Sequence, residues 1–323
     1  MASPNLTELV TTTLRDRAPT IADNFTDNNA ILRQLKKRGN IRTFTGGRTM
    51  VEPIFYADNS TYTRYSGYDI LNIQPSDVIT AAEYEIKQVA VSVSMSGLEE
   101  LQNTGKNAII DWLAAKIENA EGSMENGLSA DLYSSGTADG GKQIGGLQLI
   151  VADTATSGSV GGIDRGTWTF WQNYSYDATT DGGAAVTPAN IQDYMHNVYL
   201  NTCRGNDKID LILADNNYYK AYWESLTSIQ RITNTDMAQA GFTNLDYMGA
   251  PVVFDGGIGG NCPTNHMYFL NSKYLKFRPH VDRNMDVIGS DRFSVNQDAM
   301  VRLVGWAGNL TSSGNRFLGV LKD

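Results

Sequence analysis

The stretch that decides the fold is Ala81-Ala82-Glu83-Tyr84-Glu85-Ile86-Lys87-Gln88-Val89-Ala90-Val91-Ser92-Val93-Ser94-Met95-Ser96-Gly97-Leu98-Glu99. Tyr84 and Ile86, then Val89, Val91, Val93 and Met95, fall on alternate positions, the period of a half-buried strand. At Ser96 the period changes. Ser96 and Glu99 have the spacing of a capping box, in which hydroxyl and carboxylate each satisfy an orphan amide at a helix start. Leu98 and Leu101 open a short helical piece, broken near Gly105. Ile109, Trp112, Ile117, Ala120, Met124, Leu128 and Leu132 then keep helical spacing from about Lys106 to Tyr133, about 40 Å at 1.5 Å per residue. Heptads are not strict and Gly122 and Gly127 interrupt, so the pattern predicts a long helix lying across a domain, not a coiled coil.

Upstream, Ile54-Phe55-Tyr56 is the outgoing leg of a hairpin, followed by a polar and aromatic run through Asn59, Tyr62, Arg64, Tyr65, Gly67 and Tyr68. The excursion has little sequence to cover its faces, and an isolated hairpin is marginal in water. Something outside it is expected to bury it. The first forty-odd residues hold few apolar side chains. Leu6, Leu9 and Val10 hint at one short helix, and Ala30 to Arg38 at another that ends at Gly39. This segment reads as an arm that packs on something else, so removing residues 1–40 is expected to leave a folded subunit.

Downstream, Ser134 to Gly146 is turn chemistry, Leu147 to Ala152 a short strand, and Trp168, Phe170, Trp171, Tyr174 and Tyr176 an aromatic cluster. Thr187-Pro188 opens a helix reaching Cys203, since proline is favoured in a first turn. Ile209 to Ala214 reads as a buried strand, Asn216 to Gln230 as a helix, and Pro251 to Phe254 as a strand. Met267 to Phe277, Ala299 to Ala307 and Phe317 to Leu321 complete the strands. The class is α+β.

Composition narrows the function. In 323 residues there are 31 glycines and 8 prolines with 41% apolar side chains, which suits a globular chain and neither a collagen nor a low-complexity one. No apolar run approaches membrane-spanning length, and Met1 to Val10 shows no signal peptide. Cys203 and Cys262 are expected as buried, reduced thiols. Charge is unevenly spread: Arg15, Arg17, Arg33, Lys36, Lys37, Arg38, Arg42 and Arg48 face only four acidic residues before position 49, whereas the whole chain carries −9. That split fits a basic arm on an acidic body, including a neighbour's, or an ordinary helix with a solvated basic face. An acidic body argues against a nucleic-acid reader.

No active site assembles. Gly256-Gly257-Ile258-Gly259-Gly260 lacks a following helix with a phosphate-binding lysine, and Gly141-Lys142 lacks both partners of a P-loop. His196, His266 and His280 are scattered, no G-x-S-x-G is present, and Asp282 and Asp286 do not make a calcium loop. A glycosidase, whose two carboxylates leave no local motif, stays open as the enzyme alternative.

The order arm, hairpin, long helix, α/β middle and returning strands resembles the major capsid proteins of tailed bacteriophages. Tyr65-Ser66-Gly67-Tyr68-Asp69 with Ala81 to Ala90 resembles their extended loop, and Gly97 to Gly105 the turn into their spine helix. Gly161-Gly162-Ile163-Asp164-Arg165, Leu245 to Val253, and Gly305-Trp306-Ala307-Gly308-Asn309-Leu310-Thr311 are similar to later phrases of the family. The resemblance implies a Hong Kong-type capsid fold: an arm at 1–45, an extended hairpin loop at 46–95, a peripheral domain with the spine helix at 96–145 and 265–323, and an axial domain at 146–264. It implies self-assembly into an icosahedral shell around DNA, with no enzymatic activity, cofactor or metal. The implied contacts between subunits are Arg33, Lys36, Lys37, Arg38, Tyr62, Arg64, Tyr65 and Tyr68. The implied partners are pentamers and hexamers of the chain itself, a separate scaffolding protein, a portal protein, a decoration protein in some members, and double-stranded DNA held non-specifically, with no membrane. The implied location is the virion, after assembly in the host bacterial cytoplasm. Some members weld subunits through a hairpin lysine, but no lysine lies between Lys37 and Lys87 here. Tail-tube and surface-layer subunits are the other structural alternatives; the long helix counts against a tail tube.

Overall fold

The structure, a computed structural model, describes residues 30–102, 112–226, 245–257, 260–289, 292–293 and 298–323. The helical hint at Leu6 to Val10, the start of the long helix and the end of the 216–230 helix lie outside the described residues.

Helix α1 (Ala30–Lys37) is followed by Gly39, whose φ of +69° lets the chain turn out of the helix. Strand β1 (Thr49–Phe55) pairs antiparallel with β2 (Ile79–Glu85), from Thr49 opposite Glu85 to Phe55 opposite Ile79. Strand β3 (Lys87–Ser96) follows after one residue but leaves the hairpin. It pairs along Ala299–Ser312, which also carries Leu275–Val287. The hairpin expected over 46–95 thus splits at Ile86, where the break in the alternation between Ile86 and Val89 marks the change of sheet.

The capping box forms: Ser96 N donates to Glu99 Oε2 at 3.2 Å and Glu99 N to Ser96 Oγ at 3.3 Å, opening α2 (Gly97–Gln102). Helix α3 (Trp112–Leu132) runs through Gly122 and Gly127 without a break, and Ala120, Met124, Leu128 and Leu132 form its buried stripe.

The second sheet has six strands in the order 174–177, 319–322, 266–270, 211–214, 250–254, 245–247. Its central strands are buried on both faces, and their period of two sorts the side chains between two cores. Leu211, Leu213, Tyr268 and Leu270 face the α3 side, while Ile212, Ala214, Met267 and Phe269 face the helices Ile191–Thr202 and Asn216–Ser225.

Four expectations need correction. Leu147–Ile150 is a helical turn and not a strand; a short apolar run does not separate the two by periodicity. Met267 to Phe277 is two strands in different sheets, separated by a turn at Ser272–Tyr274 that Asn271 Oδ1 caps. Residues 266–270 and 319–322, expected in the 265–323 part of the peripheral unit, pair into the six-stranded sheet with 211–214 and 174–177. The end of the arm also belongs to the core. Ile31 and Leu35 are fully buried in the same core as Met124 and Leu128, so a cut at residue 40 removes core.

Candidate assembly surface

The loop 56–78 at the far end of β1 and β2 is built from local polar contacts. Asn59 Oδ1 accepts from Thr61 N at 2.9 Å, Ser60 and Ser76 hydroxyls meet at 3.3 Å across the two legs, and Asp69 Oδ2 accepts from Ser66 N at 2.8 Å. Gly67, with φ of +59°, makes the tip turn. These bonds tie a few backbone amides of the loop and leave its large side chains uncovered. Tyr62, Tyr65 and Tyr68 are exposed, Tyr68 completely. Ile70, Leu71 and Ile73, which the sequence reading passed over, are exposed beside them. Phe55 and Ile79, cross-strand partners at the loop's root, are exposed too. Single exposed apolar residues are ordinary; a run of them on one projection marks an interaction surface.

The base of the hairpin is, by contrast, firmly held. Glu52 lies on the inward face of β1 with 4% of its surface exposed. It accepts from Lys276 Nζ at 2.7 Å, Arg278 Nη1 at 3.0 Å and Thr311 Oγ1 at 3.2 Å. Tyr84 Oη donates to Ser312 O at 2.9 Å, and burial pushes its pKa well up. Asn309 donates to Glu85 O at 2.9 Å and accepts from Gly145 N at 3.1 Å. Gly161 O accepts from Glu83 N at 2.9 Å. A cap of aromatic rings completes the root: Tyr56, Trp168 and Phe170 stand with centroids 5.8–5.9 Å apart.

Of the expected contact residues, Tyr62, Arg64, Tyr65 and Tyr68 share the loop, all exposed. Arg33, Lys36 and Lys37 are exposed on α1. Arg38 is engaged within the chain: its Nη1 lies 2.6 Å from Asp210 Oδ2 and its Nη2 also donates to Asp210 O. The structure brings the loop group together and does not join it to the α1 group.

The histidines stay apart. His196 Nδ1 is 3.4 Å from Tyr247 Oη, His280 stands edge-on to Phe44, and His266 lies 3.2 Å from the Asp153 carboxylate. Burial opposes protonation of His266, but the Asp153 carboxylate, the Thr264 carbonyl and Asp215 together outweigh it and raise the pKa; the hydrogen bond with His266 lowers that of Asp153. Cys203 and Cys262 are free and half-buried. Among the described residues no cluster of His, Cys, Asp or Glu is arranged to hold a metal, and no helix is long and apolar enough to cross a membrane.

No protein-family model matches the chain, and no curated protein does. Solved structures do. The cyanophage A-1(L) capsid asymmetric unit is similar at TM-score 0.73 and 17% identity over 96% of both chains. The capsid of an empty GTA particle is similar at TM-score 0.63 and 13% identity over 98% of this chain and 97% of that one. The holo-SrpI encapsulin complex from Synechococcus elongatus PCC 7942 is similar at TM-score 0.61 and 12% identity over 100% of this chain and 96% of that one. The likeness is one of fold, and it is the Hong Kong-type capsid fold that the sequence led us to expect.

Proposed function

We propose that this chain is a major capsid protein of a tailed bacteriophage, a structural subunit that assembles through pentamers and hexamers into an icosahedral shell around viral DNA. The observation that carries this reading is the contrast within the hairpin. Its root is tied to the Leu275–Val287 and Ala299–Ser312 strands by Glu52, Tyr84 and Asn309, while its end projects Tyr62, Tyr65, Tyr68, Ile70 and Ile73 with nothing among the described residues to cover them. Such a projection is a liability in a monomer and an interface in a closed assembly. Each buried large apolar side chain contributes roughly 1.5–3 kcal/mol, repeated at every interface of a shell.

The finer parts of the reading are a virion location after assembly in the host cytoplasm, a separate scaffolding protein, a portal protein, and DNA held without sequence specificity. The acidic balance of the chain, −9 in all, supports loose packing of DNA over tight binding. Sedimentation velocity of the purified chain tests the assembly claim. Species of very large mass that the Tyr62→Ser/Tyr68→Ser double variant loses support it; a wild-type monomer at every salt and concentration contradicts it.

A further inference from the structure

The root of the hairpin carries a cleft of ≈ 550 Å³ lined by Tyr56, Asp77, Asp164, Trp168 and Phe170, among others. Three features set it apart from an ordinary surface dent. Its wall is a triangle of rings: Tyr56–Trp168 at 5.9 Å, Tyr56–Phe170 at 5.8 Å and Trp168–Phe170 at 5.9 Å. Trp168 is 46% exposed although it is the largest side chain in the group, so one indole face is open to the cleft or to solvent. Both charged lining residues are carboxylates, and both are exposed. Hydrogen bonds from Thr167 and Gly166 hold Asp164 below the usual carboxylate range, so it is ionised at neutral pH.

Open aromatic faces beside ionised carboxylates select a flat cation. A guanidinium stacks on an open ring face and donates to the acids, whereas a neutral apolar group would crowd both carboxylates without neutralising their charge. The chain itself supplies such a group. Arg64 is the sole basic side chain in the loop 56–78, it is exposed, and its neighbours are the exposed Tyr62 and Tyr65. Cleft and loop are thus complementary in charge and in chemistry.

We propose that this cleft receives the Arg64 guanidinium of a second copy of the chain, Trp168 stacking on it, Tyr56 standing edge-on to the indole, and Asp77 and Asp164 pairing with its charge. This deepens the assembly reading and rests on it, since it says which group of a neighbour the hairpin root recognises. The contact adds orientation to the charge pairing, because a guanidinium donates through a fixed planar fork.

The test separates this pairing from assembly. A labelled peptide spanning Asn59 to Ile70 is titrated by anisotropy into dissociated full-length subunits, and the same preparation is imaged for shells. Saturable binding is expected, at least fivefold weaker for the Arg64→Ala peptide and for subunits carrying Trp168→Ala or Asp77→Asn. Combining variant peptide with variant subunit should cost no more than either alone, and Trp168→Phe, which keeps a stacking face, should retain most of the binding. Equal binding of the two peptides, no binding, or additive losses overturn the pairing. So does saturable binding of a neutral oligosaccharide at the cleft with no discrimination between the peptides. Shells that assemble equally well with Arg64→Ala, alongside indifferent peptides, sink the pairing alone; intact peptide binding without shells sinks the assembly reading alone.

Discussion

Glu52 and Arg278, 226 residues apart in the chain, meet at 3.0 Å under the root of the hairpin. Glu52 lies on the inward face of β1, and Lys276, 2.7 Å from the other carboxylate oxygen, makes it a three-member cluster. Each cation's side chain is 21% exposed against 5% for the acid. Removing the acid leaves two positive charges side by side and partly desolvated. Glu52→Ala should therefore cost about 3 kcal/mol, the low end for breaking a buried pair. Urea unfolding of dissociated subunits measures it; a loss under about 0.5 kcal/mol, the range of a neutral surface change, would mean that the root is held by other contacts.

Gly161 sits where a side chain has no room. Its φ is +58°, and a Cβ there would stand 2.7 Å from Ala82 Cβ and 3.2 Å from the Tyr84 ring. Gly161→Ala combines left-handed strain with overpacking, for a loss of about 2–3 kcal/mol. Gly162→Ala is the control: it also has positive φ, +75°, but nothing within 4 Å of its Cβ. Equal losses at the two positions would show that backbone strain alone accounts for the effect.

Leu35 tests the corrected view of the arm. It is 1% exposed and packs in the core with the long helix. Leu35→Ala should cost 2–5 kcal/mol as a buried leucine does elsewhere. A thermal melt unchanged by the substitution would restore α1 to a dispensable arm.

Those corrections show what a sequence can say. The capping box at Ser96, the stripe Ala120–Met124–Leu128–Leu132 and the alternation of β3 were legible because each is a local rule with a fixed period. The change of sheet at Ile86 was visible as a broken alternation but had no partner to name, since the pairing with Ala299–Ser312 lies some two hundred residues away. The partition at Leu270 was hidden for the same reason: the polar Asn271-Ser272-Lys273 interrupts the apolar run, but three residues do not say that the two halves pair in different sheets. At the surface, the tyrosines of the loop were found because aromatics without a core stand out, and Ile70, Leu71 and Ile73 were missed although they obey the same logic. Glu52 left no signal, because one acid among alternating residues reads as solvent-facing until its strand has a neighbour.

The His266–Asp153 pair gives the stability of the subunit a pH dependence. His266 has a raised pKa, so its contribution is complete below the unfolded value of about 6.5 and is lost as pH rises through the higher folded value. Asp153 has a lowered pKa, so its contribution is present above about 3.9 and is lost as pH falls through the lower folded value. The pair is strongest between about pH 4 and 6.5. Denaturation midpoints of His266→Gln should show less decline from pH 6 to 8 than those of the natural chain. Parallel curves would remove the pair from the account.

The loop's contacts are expected to be non-covalent. No lysine lies between Lys37 and Lys87, and a guanidinium such as that of Arg64 is a poor nucleophile. Boiled particles on a denaturing gel should run as one band near 35.4 kDa. A ladder of multimers that survives detergent and reducing agent would show cross-links.

The most direct test of the central claim is a negative-stain micrograph of the purified chain. The account predicts closed, roughly spherical shells, uneven in size when no scaffolding protein is present; uniform shells from the chain alone would keep the capsid reading and remove the scaffold. Tubes, flat sheets or only dispersed monomers at high protein concentration would contradict it.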